Sequence, residues 1–332
     1  MVPSSAITRM DLSGTFDEFD LEFSRRGFIG QRVARPILVG LQAADLGKVP
    51  IEQLLQTPDT KRAPGSGYGR SSRTFASWSY TVADHGHEEV VDDWGSRVYA
   101  NIVDAEEYAR QGCLDVVCRR WEIDVAAQVY DPAVWTGGPL TTAITHEWDD
   151  HTNAVPLDNI KAAREKILLG SGVQPNALII NDNQFWHLKR CDQIRDLLKA
   201  GGAELPAGRQ ITSAALADIF NLDFVLVAGE MGIKNTANRA KTLSAARIWS
   251  DEYAMLGRVA TTNNVRESCF LRSMIWTGDG PGSVGTDQEI ATVVEEYRDE
   301  ANRGSVIRVR NNRGLVVLYK EAAHLLSNVI TI

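Results

Sequence analysis

A long helical stretch, residues 104–129, constrains the fold more than any other segment. The sequence DAEEYARQGCLDVVCRRWEIDVAAQV begins with acidic residues and contains no proline, as is typical of a helix. At about 1.5 Å per residue it forms a rod about 40 Å long. A helix with two apolar sides is expected to lie between two layers. The two predicted stripes are Ala105, Ala109, Gly112, Val116, Ile123 and Ala127, and Leu114, Val117, Trp121 and Val125.

The N-terminal sixty residues predict an arm rather than a domain. They contain two short apolar patches, Pro36–Leu41 and Ile51–Leu55, separated by polar residues. Neither patch is long enough to close a core of its own. The segment that follows, TPDTKRAPGSGYGR (57–70), is rich in proline and glycine and is typical of a flexible loop.

Next, residues 73–93 predict a projecting β-hairpin. RTFASWSYTV (73–82) alternates apolar and polar residues with a period of two, ADHGH (83–87) provides a turn, and EEVVDD (88–93) returns as a second, acidic strand. An isolated hairpin is marginally stable in water. We therefore expect this one to dock on another copy of the chain, and expect deletion of residues 66–92 to leave a folded subunit that does not assemble.

The middle of the chain predicts a compact α/β unit. A helix starts near Pro156, buries Ile160, Ala163 and Ile167, and ends at Gly170. The remaining predicted elements are a strand at 176–181, a helix capped by Asp182 and closed by Gly201–Gly202, a helix at 212–220 and a strand at 223–229.

The last third of the chain is rich in predicted strands. These are ARIW (246–249), CFLRSMIW (269–276) and a hairpin at 305–320. Residues Asn311–Gly314 supply the Asn and Gly that a tight hairpin turn requires.

Composition excludes several classes of protein. The 35 Lys and Arg residues against 43 Asp and Glu give a formal net charge of −8, which argues against a dedicated nucleic-acid binder. No apolar run approaches the roughly 18–20 residues that span a bilayer. The polar, acidic N-terminus lacks a signal-peptide pattern, so we expect a soluble, cytoplasmic protein. The four cysteines form no CxxC pair and are expected to be reduced and buried.

No segment predicts an active site, a cofactor or a metal. GPGSVG (280–285) fits a dinucleotide-binding pattern, but Pro281 removes a backbone N–H and no acidic residue ends the next strand. In HEWDDH (146–151) the two histidines lie five residues apart, so on a helix they diverge by roughly 140°. His85 and His87 flank the predicted hairpin turn, where we expect them to be exposed.

The order of these elements resembles the major capsid protein of tailed double-stranded DNA bacteriophages, the Hong Kong 97-type shell fold. The most specific match is WDDHTNAVPLDNIKAAREKILLGSGVQPNALIINDNQFWHLKRCDQIRDLL at 148–198. The resemblance extends from about residue 28 to the C-terminus. The other matching segments are ITSAALADIFNLDFVLVAG (211–229), NTANRA (235–240), RIWSDEYAML (247–256), Asp92–Asp93 and AAHLLSNVI (322–330).

The resemblance implies an α+β fold with an N-terminal arm, an extended loop, a peripheral domain and an axial α/β domain. The arm is residues 1–60 and the extended loop, a β-hairpin, is residues 61–95. The peripheral domain contains the long spine helix and comprises residues 96–172 and 285–320. The axial domain comprises residues 173–284 and 321–332.

The resemblance also implies a structural role without catalysis. Copies of the chain would form hexamers and pentamers of an icosahedral head in the virion, assembled in the host cytoplasm. Implied partners are a portal protein and separate scaffolding and decoration proteins, with the packaged DNA enclosed and only weakly contacted. Candidate contacts between subunits are the aromatic residues Phe75, Trp78 and Tyr80, and the charged residues Arg70, Arg73, Asp92, Asp93 and Glu106; solvated charges are an equal alternative.

Two alternatives remain open on the sequence alone. An encapsulin-like compartment shares the fold and requires a site that docks cargo. A metal-dependent enzyme requires His146 and His151 to bind a metal ion.

Overall fold

A computed structural model gives the fold of the chain. It describes residues 7–8, 27–50, 53, 56–72, 74–99, 104–200, 211–229, 233–235, 245–265, 267–278 and 292–331. Most of the apolar patch Ile51–Leu55, the helix end at Gly201–Gly202 and the GPGSVG segment lie outside the described residues.

The described elements come in runs of strands and of helices, and the last third of the chain is almost entirely strands. The helices are α1 (Gly30–Val33), α2 (Asp93–Tyr99), α3 (Ala105–Val129), α4 (Pro156–Ser171), α5 (Asp182–Leu188), α6 (Asp192–Ala200) and α7 (Ser213–Phe220). The strands before α4 are β1 (Ile7–Thr8), β2 (Pro36–Val39), β3 (Ala43–Lys48), β4 (Ala76–Thr81), β5 (Ala83–Asp92) and β6 (Thr141–Ala143). The later strands are β7 (Ala177–Asn181), β8 (Phe224–Ala228), β9 (Ile233–Asn235), β10 (Ala245–Arg247), β11 (Ala254–Gly257), β12 (Leu271–Trp276), β13 (Val293–Asp299), β14 (Gly304–Val317) and β15 (Ala323–Ser327).

The long helix α3 confirms the strongest sequence prediction. Asp104 is its N-cap, accepting hydrogen bonds from Glu106 N at 3.1 Å and Glu107 N at 3.4 Å. The prediction of two apolar stripes is wrong, because Val116 and Ala127 are exposed. One broad face is buried instead, since its positions recur every three or four residues. That face consists of Ala109, Arg110, Cys113, Leu114, Val117, Cys118, Trp121, Glu122, Val125, Ala126 and Val129.

Strand β14 is the centre of a six-stranded sheet. It is continuous from Gly304 to Val317, so the predicted hairpin with a turn at Asn311–Gly314 is wrong. Antiparallel neighbours hold the strand straight through this region: β5 along one edge from 304 to 313, and β13 followed by β12 along the other. The observed turn lies earlier, between β13 and β14, where Arg303 has a φ of 49°.

Strands β4 and β5 are not paired with each other, which corrects the predicted hairpin at 73–93. β4 pairs with β3, whereas β5 pairs with β14 and includes the ADHGH residues that the sequence predicted to be a turn. The long edge of β14 offers β5 ten residue pairs, from Ala83 to Asp92. The apolar side chains of β4 meanwhile pack against Ile37 and Met274.

Part of the predicted N-terminal arm belongs to the core. Ile29, Val33 and Ala34, in and beside α1, are buried in the same cluster as α3. β2 then pairs in parallel with β12 and completes the edge of the six-stranded sheet. Residues 29–39 therefore pack on the core, which the short apolar patches of the sequence did not indicate.

A second sheet of five strands carries the predicted α/β unit. Its order is β6-β15-β11-β7-β8, and β7 is buried on both faces. Ile179 faces the cluster that contains α3, whereas Leu178 and Ile180 face the cluster that contains α4 to α7. This alternation follows from the two-residue period of a strand.

Three helix ends in this unit differ in detail from the prediction. α4 ends at Gly172, which has a φ of 67°, and not at Gly170. Asn181, rather than Asp182, caps α5 through a reciprocal capping box with Gln184. The predicted single helix after Asp182 is two helices, separated after Leu188.

The cysteine prediction is confirmed, since all four thiols are free and buried. Among the described residues, none of the helices is long and apolar enough to span a bilayer. The boundaries of the arm, the peripheral domain and the axial domain stay predictions.

Candidate subunit-contact surface

The loop at residues 56–72 is exposed along its whole length. It carries the cationic residues Lys61, Arg62 and Arg70 against one acid, Asp59. The Arg62 guanidinium lies 4.9 Å from the centroid of the Tyr68 ring, and Tyr68 is itself exposed. The loop therefore presents basic and aromatic side chains to solvent without packing on the core.

The predicted aromatic anchors divide into exposed and buried side chains. Phe75 is 75 % exposed and stays a candidate for contact with another subunit. Tyr80 is buried, and its hydroxyl donates a hydrogen bond to Leu41 O at 3.1 Å. Trp78 packs against Val316 on the sheet. Trp78 and Tyr80 thus pack β4 on its own subunit, and their predicted role in contacts between subunits stays a prediction.

The predicted charged contacts are mostly engaged within the chain. Asp93 forms an ion pair with Arg298, with Oδ1 and NH1 2.6 Å apart, and the hydrogen bonds from Arg298 lower the pKa of the Asp93 carboxyl. Asp92 Oδ2 accepts a hydrogen bond from Gly95 N at 3.0 Å. Glu106 lies in the first turn of α3, where acids favour the helix. Arg70 is exposed, and Arg73 lies outside the described residues.

Two exposed aromatic residues were missed by the sequence interpretation. Trp94 on α2 is 73 % exposed, and Tyr108 on α3 is 66 % exposed. A signal for Tyr108 was present, because it falls on neither predicted apolar stripe of its helix. Large exposed aromatic side chains are enriched at interfaces, so both residues join Phe75 as candidate contacts.

A charged ladder crosses the strands β5, β14 and β13. Arg308 on β14 contacts Glu88 on β5 and Glu295 on β13, and Arg310 NH2 lies 2.7 Å from Glu295 Oε1. The hydrogen bond from Arg310 lowers the pKa of Glu295. The ladder ties the three strands together and leaves these charges paired within the subunit.

The histidines considered as metal ligands do not form a metal centre. His146 is exposed, while His151 Nε2 lies 3.1 Å from His187 Nδ1. Within the part of the chain that the structure describes, no group of three or more His, Cys, Asp or Glu side chains could hold a metal ion. His87 is exposed, but His85 is partly buried on β5 opposite Asn311, which corrects its predicted place in a turn.

Comparison by sequence finds no relative: no protein-family model and no curated protein matches the chain. Comparison by structure does find similar proteins. A phage-related protein from Bordetella bronchiseptica matches over 98 % of both chains, with a TM-score of 0.71 and 18 % sequence identity. The capsid of cyanophage P-SCSP1u matches over 91 % of this chain and 88 % of its own, with a TM-score of 0.57 and 10 % identity.

The chain has the capsid-shell fold. An encapsulin complex from Synechococcus elongatus shares that fold, with a TM-score of 0.52 and 13 % identity over 90 % of this chain and 86 % of its own. The predicted α+β class and Hong Kong 97-type architecture are confirmed. At these low sequence identities the likeness establishes the shell fold alone. It does not distinguish a phage capsid from an encapsulin.

Proposed function

We propose that this chain is the major capsid protein of a tailed double-stranded DNA phage. The observation that carries the proposal is the match of nearly the whole chain to a phage-related protein and a cyanophage capsid. Many copies would assemble into hexamers and pentamers of an icosahedral head. The proposal gives the chain a structural role and assigns it no catalytic residue.

The contact surface suggests how one subunit would reach the next. The exposed residues 56–72 and Phe75 would lie on a neighbouring copy, with Arg70 and Phe75 as contacts. Covering exposed apolar and aromatic surface removes it from water and contributes most of the favourable free energy of an interface. Trp94 and Tyr108 provide aromatic area on the receiving side. The rigid sheets would keep this geometry constant while the glycine-rich loop adapts to different positions in the shell.

The partners and location follow from the same proposal. The chain would be part of the virion, assembled in the host cytoplasm around separate scaffolding proteins, with a portal protein at one vertex and decoration proteins outside. The net charge of −8 suits a wall that encloses DNA and scarcely binds it.

Negative-stain electron microscopy of the purified full chain tests the proposal. We expect closed shells or regular sheets of capsomers, alone or after addition of the phage's scaffolding protein. A chain that stays monomeric under both conditions contradicts the proposal.

The encapsulin alternative is supported by the similar TM-score of the Synechococcus elongatus complex. The neighbouring genes discriminate between the two. A portal and a terminase gene beside this one support the phage head, whereas a gene for a cargo enzyme supports the encapsulin.

A further inference from the structure

A small cavity lies where the N-terminal segment, α3 and the six-stranded sheet meet. Its volume is about 10 Å³, close to that of one water-sized sphere. The residues that line it come from all three elements: Gln31, Ala34, Pro36, Trp121, Ser273, Ile275 and Arg313.

Three buried polar side chains line this cavity. Trp121, Ser273 and Arg313 are 3 %, 1 % and 2 % exposed. Among the described residues, Trp121 Nε1, Ser273 Oγ, and Arg313 Nε and NH2 have no hydrogen-bond partner. Buried polar atoms without a partner are uncommon, because each loses its hydrogen bonds to water without a replacement. These atoms therefore point to a ligand.

The strand register explains why the three side chains converge. Arg313 on β14 lies directly opposite Ile275 on β12, and Ser273 is two residues from Ile275 on the same face of the sheet. The Arg313 guanidinium lies 4.6 Å from the centroid of the Trp121 ring. The cavity is thus bounded by two donors that approach each other from the helix and the sheet.

The chemistry of these groups selects an acceptor. An indole N–H and a guanidinium can only donate hydrogen bonds, and a serine hydroxyl can donate or accept. A ligand that only accepts can satisfy all three. A water molecule would have to place its own two hydrogens on the Ser273 hydroxyl and the Gln31 amide oxygen, because the other polar groups only donate.

The charge around the cavity favours a negative ligand. Asp124 Oδ2 lies 3.6 Å from Arg313 NH2, beyond hydrogen-bond distance, and Asp124 Oδ1 lies 2.9 Å from Arg120 NH2. Asp124 lies closer to Arg120, whose side chain is 64 % exposed, than to the buried Arg313. Arg313 NH1 donates a hydrogen bond to Val117 O at 3.3 Å, so the buried guanidinium charge is compensated only in part. Burial lowers the pKa of Arg313 to about 10, as expected for a cation that its neighbours compensate incompletely.

We propose that this cavity binds one small monovalent anion, chloride in ordinary buffers, through Trp121 Nε1–H, the Ser273 hydroxyl and the Arg313 guanidinium. The bound ion compensates the buried charge of Arg313 and joins the N-terminal segment to the helix and the sheet. Because only the folded state contains the cavity, the ion stabilises the fold by mass action.

The test is the melting temperature of the full chain at constant ionic strength while sodium gluconate is replaced by sodium chloride or bromide. Gluconate is too large for the cavity. We expect a saturable rise in Tm for the wild-type protein and the loss of that rise in Trp121→Phe and Ser273→Ala. Trp121→Phe removes the N–H and retains an aromatic ring beside Arg313.

Trp135→Phe is the matched control. Trp135 is equally buried and its indole nitrogen also has no described partner, but it does not line the cavity. This variant should keep the halide-dependent rise even if its own Tm is lower. A crystal grown in sodium bromide should show an anomalous peak between Trp121, Ser273 and Arg313.

Two results would overturn the proposal: the same halide dependence in the wild type and Trp121→Phe, or density in the cavity without anomalous signal, which identifies a water. The assay reads stability and not shell formation, so its outcome is independent of the capsid proposal.

Discussion

Single carboxylates hold separate parts of this fold together. Glu122 on α3 is fully buried and accepts hydrogen bonds from Ile29 N at 2.9 Å, Gly30 N at 2.7 Å and Trp249 Nε1 at 2.7 Å. Burial raises its pKa, although these three donors act in the opposite direction. One side chain thus joins the N-terminal segment, the long helix and the segment after β10.

We expect Glu122→Ala to lower the free energy of unfolding by about 3 kcal/mol, because it leaves three buried donors without an acceptor. Urea denaturation of the unassembled subunit measures the loss. Glu165→Ala, at an exposed position of α4, is the control and should change stability by less than about 0.5 kcal/mol. Equal losses in the two variants would contradict the role given to Glu122.

Glu267 closes the loop that precedes β12. Its carboxylate accepts hydrogen bonds from the backbone N–H and the hydroxyl of both Thr261 and Thr262, over 2.6–2.8 Å. Burial raises the pKa of Glu267, but these hydrogen bonds outweigh it and lower the pKa from 4.5 to about 2. Arg272 completes the loop by donating to Thr262 O and Asn264 O.

This depressed pKa predicts a contribution to acid stability. The contribution is fully present above pH 4.5 and is lost as the pH falls from 4.5 towards 2, because the unfolded state binds the proton first. Glu267→Gln should therefore flatten the fall in stability over that window, as measured by denaturation at a series of pH values. An unchanged pH profile in the variant would refute this assignment.

At the scale of elements, one glycine allows two backbone segments to approach each other closely. A Cβ built on Gly314 in β14 would lie 2.1 Å from the carbonyl oxygen of Thr81, where the chain passes from β4 to β5. The obstacle is backbone, so it cannot rotate away. The sequence interpretation took this glycine for a turn residue, because glycine serves both purposes and only the neighbouring strand distinguishes them.

We expect Gly314→Ala to destabilise the subunit by more than about 2 kcal/mol, since β4 or β14 must move. Gly67→Ala is the matched control, because a Cβ at that exposed loop position meets nothing within 4 Å. Thermal denaturation of both variants measures the difference. A Gly314→Ala protein as stable as Gly67→Ala would show that the two strands can separate freely.

The charged ladder belongs to the same scale. Alternating acids and arginines on β5, β14 and β13 were visible in the sequence only as scattered charges. Once β14 lies between the other two strands, Glu88, Arg308 and Glu295 become neighbours across the sheet. Pairs of opposite charge at such positions each contribute about 0.2–1 kcal/mol.

At the scale of the whole molecule, the segment proposed to contact other subunits is separate from the segments that build the core. Residues 56–72 are exposed throughout, whereas β5 provides a full strand of the central sheet. The deletion of residues 66–92 that the sequence suggested would remove β5 and unfold the subunit. Replacing residues 57–72 with a short Gly/Ser linker leaves β3, β4 and β5 intact.

We therefore expect the linker variant to fold with an unchanged Tm and to fail in shell assembly. Electron microscopy and size-exclusion chromatography report the assembly. Arg70→Ala combined with Phe75→Ala is a milder variant and should reduce the yield of shells. Normal shells from the linker variant would contradict the role of the loop in contacts between subunits.

The sequence by itself determined the elements whose signals are local. A proline-free stretch with an acidic start predicted α3, an aliphatic run predicted β7, and the segment from Thr212 predicted α7. The order of these elements along the chain also predicted the shell fold, although only 18 % of the residues are identical to those of the phage-related protein.

The tertiary structure alone decided which strands pair and which side chains stay exposed. β5 pairs with β14 and not with β4, which precedes it in the chain. Residues 29–39 pack on the core, and Trp78 and Tyr80 pack on their own subunit. Strand pairing depends on hydrogen bonds between residues far apart in the chain, as β5 and β14 are. A local pattern shows that such a strand will form, but only the folded core determines which edge completes its hydrogen bonds.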